Sequence, residues 1–137
     1  DPALRDFRQP ASREADALRA IRTALLFSRK AGQQVVQISS AEPGDGKSTT
    51  LANLAIAFAQ SGKRVLLLDA DLRRPMQHTL FALAQEQGLS EVLQQQLAWR
   101  VAVQTTPVTG LSILTAGCRN CGHSTTLFWS IRLPSWL

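Results

Sequence analysis

Residues 35–49 read VVQISSAEPGDGKST, in which a β-branched run passes through a glycine-rich loop into the start of a helix. Gly44 and Gly46 allow backbone angles that a Cβ would forbid, so successive N–H groups can point inward at phosphate oxygens. Lys47 would reach the β- and γ-phosphates as a point charge, and the Ser48 hydroxyl is placed to ligate Mg²⁺. This stretch therefore predicts a nucleotide phosphate-binding loop.

The same loop supplies two further nucleotide-binding candidates, Asp45 and Thr49, and the helix that follows adds its dipole and unpaired N–H groups. The usual pattern G-x-x-x-x-G-K-[ST] begins with glycine, where this chain has Ala41. Alanine tolerates most of that geometry, so we expect an effect on affinity rather than on mechanism. A dinucleotide-binding loop is disfavoured, because Thr49 stands where that pattern has its third glycine.

An α/β alternation surrounds the loop. Residues 48–61 have the apolar spacing of a helix, and residues 64–68 form a continuous apolar strand typical of a buried parallel sheet. Strand, helix and strand make a βαβ unit, which is right-handed as a rule. The sequence predicts further helices over residues 12–32, 77–85 and 90–97, and further strands over residues 101–104 and 111–114.

Two aspartates follow the second strand of this unit. Asp69 and Asp71 lie at its carboxyl end, the edge at which α/β sheets bind ligands. In an extended segment, side chains two residues apart point to the same side, where both could hold waters of a Mg²⁺ shell. One of them could also take a proton from an attacking hydroxyl. Both are therefore predicted to share a site with the loop.

The composition is that of one globular domain, with 137 residues, 45% of them hydrophobic and 18% charged. The net charge of +5 comes from scattered Lys and Arg, which favours a solvated face over a nucleic-acid groove. No apolar run approaches the ~20 residues of a membrane helix. Cys118 and Cys121 lack a second pair of ligands, so they are interpreted as incidental thiols rather than a zinc site.

Residues 16–117 resemble the cytoplasmic catalytic domain of the bacterial tyrosine kinases of capsule and exopolysaccharide synthesis. The resemblance rests on DALRAIRT (16–23), SSAEPGDGKST (39–49), VLLLDADLRRP (65–75), GLSEVL (88–93) and LSILTAG (111–117). It implies a P-loop NTPase-like α/β fold, a three-layer α/β/α arrangement with a mainly parallel sheet, incomplete at the C-terminus. It also implies a protein tyrosine kinase that uses ATP and Mg²⁺, of which this chain would be a fragment with impaired activity.

The resemblance further implies roles for single residues. Lys47 and Ser48 would hold phosphate and metal ion. Asp69 would be the catalytic base, and Asp71 would support Mg²⁺. With Lys47, these two aspartates form the implied catalytic set.

The implied partners extend beyond the nucleotide. The family's Glu-x-x-Arg-x-x-Arg motif, which packs neighbouring subunits of a ring-shaped homo-oligomer, corresponds here to Asp16, Arg19 and Arg22. Other implied partners are tyrosine-bearing protein substrates and a membrane co-polymerase segment, either fused or on a separate chain. These would place the chain at the cytoplasmic face of the bacterial inner membrane, with no nucleic acid as partner.

The C-terminal residues depart from the family pattern. Residues 118–137 show no periodicity, no Asp follows Asp71, and the chain has no Tyr. We therefore expect an extended lead-in at 1–11, a partial ATP-binding kinase domain at 12–117, and an atypical tail that a shifted reading frame would explain. A sheet without an interior strand would leave strand edges unpaired.

Two other functions stay open at this point. A partitioning-type ATPase shares the deviant loop and the Asp-x-Asp strand end, but has Lys where this chain has Glu42. A non-catalytic nucleotide-binding fragment would keep the loop without the transfer chemistry. Phosphate transfer to tyrosine separates the kinase from both.

Overall fold

The structure, a computed structural model, describes residues 12–28, 35–42 and 44–117 and the backbone of residues 129–132. Its helices are α1 (Arg13–Ser28), α2 (Lys47–Gln60), α3 (Gln77–Leu80), α4 (Leu89–Leu93) and α5 (Trp99–Ala102). Its strands are β1 (Val35–Ile38), β2 (Val65–Leu68), β3 (Gln104–Thr105), β4 (Leu111–Leu114) and β5 (Trp129–Arg132). The predicted domain boundaries at 12 and 117 stay predictions.

The five strands form one sheet in the order β1-β5-β2-β4-β3. β2 pairs in parallel with β4, with Val65 opposite Leu111. β5 pairs antiparallel with both β1 and β2, and β3 pairs antiparallel with β4. β1, β2 and β4 therefore run in the same direction, and their carboxyl ends lie at one edge of the sheet, where the loop and the aspartates follow.

β5 occupies a position for which the sequence predicts no strand. Its backbone lies between β1 and β2, so that Ile131 is opposite Val36 on one side and Leu67 on the other. Ladder hydrogen bonds on both sides satisfy backbone groups of β1 and β2 that would otherwise need water. The expectation of unpaired edges is therefore wrong at this position.

The predicted strand over residues 101–104 is also wrong. Residues 101 and 102 belong to α5, and β3 is limited to Gln104 and Thr105. The backbone N–H of Val101 donates to the Ala98 carbonyl at 2.9 Å, and that of Val103 donates to the Trp99 carbonyl at 3.1 Å. These local bonds give a helical turn in a segment whose two valines are typical of a strand.

Two predicted helices are shorter than expected. α3 ends at Leu80 rather than near 85, and α4 ends at Leu93 rather than near 97. Ala82 and Gln95, shortly after these ends, have φ values of 52° and 59°. A left-handed residue turns the chain away from the helix axis, which ends each helix early.

The core is built around α2, whose residues 51–59 are all buried. Phe58 is fully buried and belongs to one cluster with Leu67 of β2 and Ile113 of β4. Leu18 and Leu25 of α1 pack against the same cluster. A helix that is apolar on most faces must be covered on most faces, and here the sheet and α1 both cover α2. This packing fixes the N-terminus of α2 at the carboxyl edge of the sheet.

Candidate nucleotide site

The loop between β1 and α2 has the backbone conformations predicted from its glycines. Gly44 and Gly46 have φ values of 95° and 77°, in the left-handed region that glycine adopts readily. Inside the loop, the N–H of Glu42 donates to Asp45 Oδ2 at 3.2 Å, and the Ser40 hydroxyl donates to the Glu42 carbonyl at 2.9 Å. The carboxylate of Asp45 thus helps to shape the loop.

α2 begins at Lys47, immediately after this loop, with Gly46 as its N-cap. Glycine has no side chain with which to bind the N–H groups of the first turn, and these groups have no partner within the helix. The turn reads Lys47-Ser48-Thr49-Thr50 and carries no carboxylate that would compete with an anion. An exposed helix N-terminus with an ammonium beside it can bind a phosphate chain.

Asp69 follows β2 and is fully buried. Its Oδ1 accepts a hydrogen bond from the N–H of Asp71 at 3.2 Å. Its Oδ2 accepts from the N–H groups of Met76 at 3.2 Å and Gln77 at 3.0 Å. Burial raises the pKa of Asp69 from 3.8 to about 6, although these three donors act to lower it. A carboxyl group with a pKa near 6 is mostly ionised at neutral pH and can accept a proton.

Asp71 has a different environment from Asp69. The prediction assumed an extended segment through both residues; β2 itself ends at Leu68, and Asp71 begins a turn. Asp71 Oδ1 accepts hydrogen bonds from the N–H groups of Arg73 at 3.2 Å and Arg74 at 2.8 Å. The Asp71 carboxylate is therefore oriented by its own turn.

Gln77 joins two parts of the site that are distant in sequence. Its fully buried side chain donates from Nε2 to the Ser48 carbonyl at 2.9 Å, and its backbone N–H donates to Asp69 Oδ2. The first turn of α2 and the turn after β2 are thus bridged by one residue. Sequence reasoning missed Gln77, because no spacing rule marks a contact between residues 29 positions apart.

The oxygen atoms at this edge of the sheet suit Mg²⁺, which takes most of its ligands from water and phosphate, better than a metal ion that needs a full set of protein ligands. Within residues 12–28, 35–42 and 44–117, no group of three or more His, Cys, Asp and Glu is arranged to hold a metal ion. The Ser48 hydroxyl and the Asp71 carboxylate offer hard oxygen ligands, and Mg²⁺ takes its remaining ligands from water and phosphate. Gln77 Oε1 is a buried acceptor with no partner among the described residues, and a water would satisfy it.

The three residues predicted to mediate oligomerisation lie on α1. Arg19 Nη1 forms an ion pair with Asp16 Oδ1 at 2.8 Å. Arg22 Nη1 donates to the Ala57 carbonyl at 3.0 Å and so ties α1 to α2 within the chain. Their role between subunits stays a prediction.

Cys118 and Cys121 lie outside the described residues. Across the part of the chain that the structure describes, no helix is long and apolar enough to cross a membrane.

The substitution Asp69→Asn should change how stability depends on pH. The folded chain binds the Asp69 proton more tightly than the unfolded chain, because folding raises the pKa from 3.8 to about 6. The free energy of unfolding should therefore fall as pH rises from about 3.5 to 6.5, by roughly 3 kcal/mol from this group. Urea unfolding at several pH values measures it, and the variant should lack this fall.

The matched control for this experiment is Glu86→Gln, since Glu86 is an exposed carboxyl outside the site. This variant should keep the fall in stability between pH 3.5 and 6.5. If the free energy of unfolding depends on pH in the same way in the native chain and in Asp69→Asn, folding does not raise the pKa of Asp69.

Several known proteins are similar to this chain. The family model described as the CobQ/CobB/MinD/ParA nucleotide binding domain matches residues 36–120. Tyrosine-protein kinase YwqD of Bacillus subtilis (strain 168) is 47% identical over 110 residues, which are 80% of this chain and 46% of YwqD. The chain thus spans about half the length of this relative.

Two solved structures share both the fold and the sequence pattern. The chimerical protein CapA2B2 superposes with a TM-score of 0.80 at 37% identity, covering 85% of this chain and 52% of that one. The kinase domain of Escherichia coli tyrosine kinase ETK gives 0.78 at 36% identity, covering 85% and 46%. The predicted P-loop NTPase-like fold and the predicted resemblance to bacterial tyrosine kinases are confirmed. Together, the loop, its helix and these matches show that the chain belongs to the CobQ/CobB/MinD/ParA nucleotide-binding domain family.

Proposed function

We propose that this chain is the nucleotide-binding part of an ATP-dependent protein tyrosine kinase that acts in capsule or exopolysaccharide synthesis. The observation that carries the proposal is the bridge through Gln77, which is hydrogen-bonded both to the first turn of α2 and to the buried carboxylate of Asp69. In phosphate transfer to a hydroxyl, a carboxylate near the phosphates can accept the proton that the hydroxyl loses. The names of the similar proteins supply the substrate class, tyrosine.

Each residue of the site has its own role in the proposed reaction. The loop amides and Lys47 would bind the β- and γ-phosphates, and Ser48 and Asp71 would hold Mg²⁺. The bound metal ion would neutralise charge on the phosphates during transfer. Asp69 would accept the proton of the tyrosine hydroxyl. At the same time the tyrosine oxygen would form a bond to the γ-phosphorus, and the bond between that phosphorus and the oxygen that leaves with ADP would break. The raised pKa of Asp69 lets the carboxylate take that proton near neutral pH.

The proposal includes the partners that the resemblance implies. They are protein substrates with tyrosine, a co-polymerase segment in the membrane, and further copies of the chain that pack through Asp16, Arg19 and Arg22. The site of action would then be the cytoplasmic face of the inner membrane. The basic excess of 15 Lys and Arg over 10 Asp and Glu is compatible with an anionic membrane surface.

Transfer of ³²P from γ-labelled ATP to a Glu-Tyr copolymer tests the proposed function. The chain has no Tyr of its own, so phosphotyrosine in the assay can come only from the substrate. We expect Mg²⁺-dependent labelling that Asp69→Asn abolishes. Nucleotide binding without labelling would instead identify a non-catalytic nucleotide-binding fragment, and hydrolysis stimulated by DNA or lipid would identify a partitioning-type ATPase.

A further inference from the structure

We infer that Gln77 is a positioning residue that sets the first turn of α2, and with it Ser48, at a fixed place relative to the turn that carries Asp69. The inference rests on the nucleotide site of the proposed function. Gln77 makes one hydrogen bond to each side of the site. Its Nε2 donates to the Ser48 carbonyl at 2.9 Å, and its backbone N–H donates to Asp69 Oδ2 at 3.0 Å.

Packing alone does not explain a glutamine at this place. Gln77 is fully buried, and its Oε1 has no partner among the described residues. Burying an amide oxygen without a hydrogen bond is unfavourable, whereas a methionine of similar volume would fill the space with no unpaired polar atom. The amide therefore contributes through the bond that Nε2 makes to Ser48.

This bond links an exposed part of the site to a buried one. Asp69 is held by three backbone donors at the end of a buried strand, while the loop before α2 is exposed on several sides. Through its two hydrogen bonds, Gln77 sets the position of the first turn of α2 relative to Asp69. The Ser48 hydroxyl, a proposed Mg²⁺ ligand, is the group whose place this bond would fix, so its loss should weaken the metal-dependent part of nucleotide binding.

The test compares ADP affinity with and without Mg²⁺ by calorimetry for the native chain and Gln77→Met. Loss of one hydrogen bond should reduce the Mg²⁺-dependent gain in affinity about fivefold, with the Mg²⁺-free affinity within about twofold. Gln94→Met, at an exposed site whose side chain accepts a hydrogen bond from Gln96, is the matched control and should keep the full gain.

The outcomes separate this inference from the proposed function. If the native chain shows a Mg²⁺-dependent gain and Gln77→Met keeps all of it, the positioning role is wrong while the nucleotide site stands. If the native chain binds no nucleotide under either condition, the proposed function fails and the inference fails with it.

A second measurement needs no variant and covers the case in which Gln77→Met does not fold. In the native chain with Mg·ADP, hydrogen exchange of the Gln77 Nε2 protons is compared by NMR with that of the Gln94 side chain. A maintained bond to the Ser48 carbonyl should slow the Gln77 exchange at least about tenfold. Equal exchange at the two side chains would overturn the inference.

Discussion

Lys47→Met is expected to lower the affinity for Mg·ATP by about tenfold to hundredfold. Lys47 begins α2 beside the glycine loop and is the only ammonium in the 41–49 segment. A hydrogen bond between a charged donor and a phosphate is worth about 1.5–3 kcal/mol, which corresponds to this loss in affinity. Isothermal titration with Mg·ATP measures it directly.

The control for this prediction is Lys63→Met, which removes the same charge from an exposed position beyond the other end of α2. Long-range attraction between the chain and ATP would fall equally in the two variants, whereas a local bond is lost only in the first. Affinity for Mg·ATP that is equal in Lys47→Met and Lys63→Met would contradict the proposed phosphate site.

Phe58→Ala should lower the free energy of unfolding by about 3–5 kcal/mol. Phe58 is fully buried in the cluster that joins α2 to β2 and β4, so truncation leaves a cavity that the rigid sheet cannot close. Because α2 follows the nucleotide loop directly and packs against both the sheet and α1, the loss should also disorder that loop. Urea unfolding followed by circular dichroism measures the change.

The matched control is Phe27→Ala on α1, where the residue is 87% exposed. The same atoms are removed from another helix without a cavity, so the expected change is within about 0.5 kcal/mol. Similar losses of stability in the two variants would show that α2 is not packed between the sheet and α1 as described.

Local features of the fold and site could be predicted from the sequence. Apolar spacing and glycines are enough to predict α2 to within one residue at each end, as well as β1, β2 and β4. The glycine loop was predictable for the same reason: its conformation and function depend on consecutive residues. The pattern of residues within a few positions is enough to indicate each of these elements.

Features that depend on distant contacts could not be predicted. Gln77 contacts Ser48 across 29 residues, and the place of β5 depends on ladder pairs with β1 and β2. In α5, local backbone bonds override the strand preference of Val101 and Val103. The orientation of Asp71 likewise depends on a turn that alternation along a strand cannot reveal.

Titration of the ¹⁵N-labelled native chain with Mg·ADP, followed by amide NMR, tests the phosphate-binding loop most directly. Backbone N–H groups that bind phosphate should show the largest chemical-shift changes, so the amide signals of Gly44, Gly46, Lys47 and Ser48 should shift together. The amide signal of Gly62, at the far end of α2, should not shift. Saturating Mg·ADP that leaves the four loop amides unshifted would contradict the assignment.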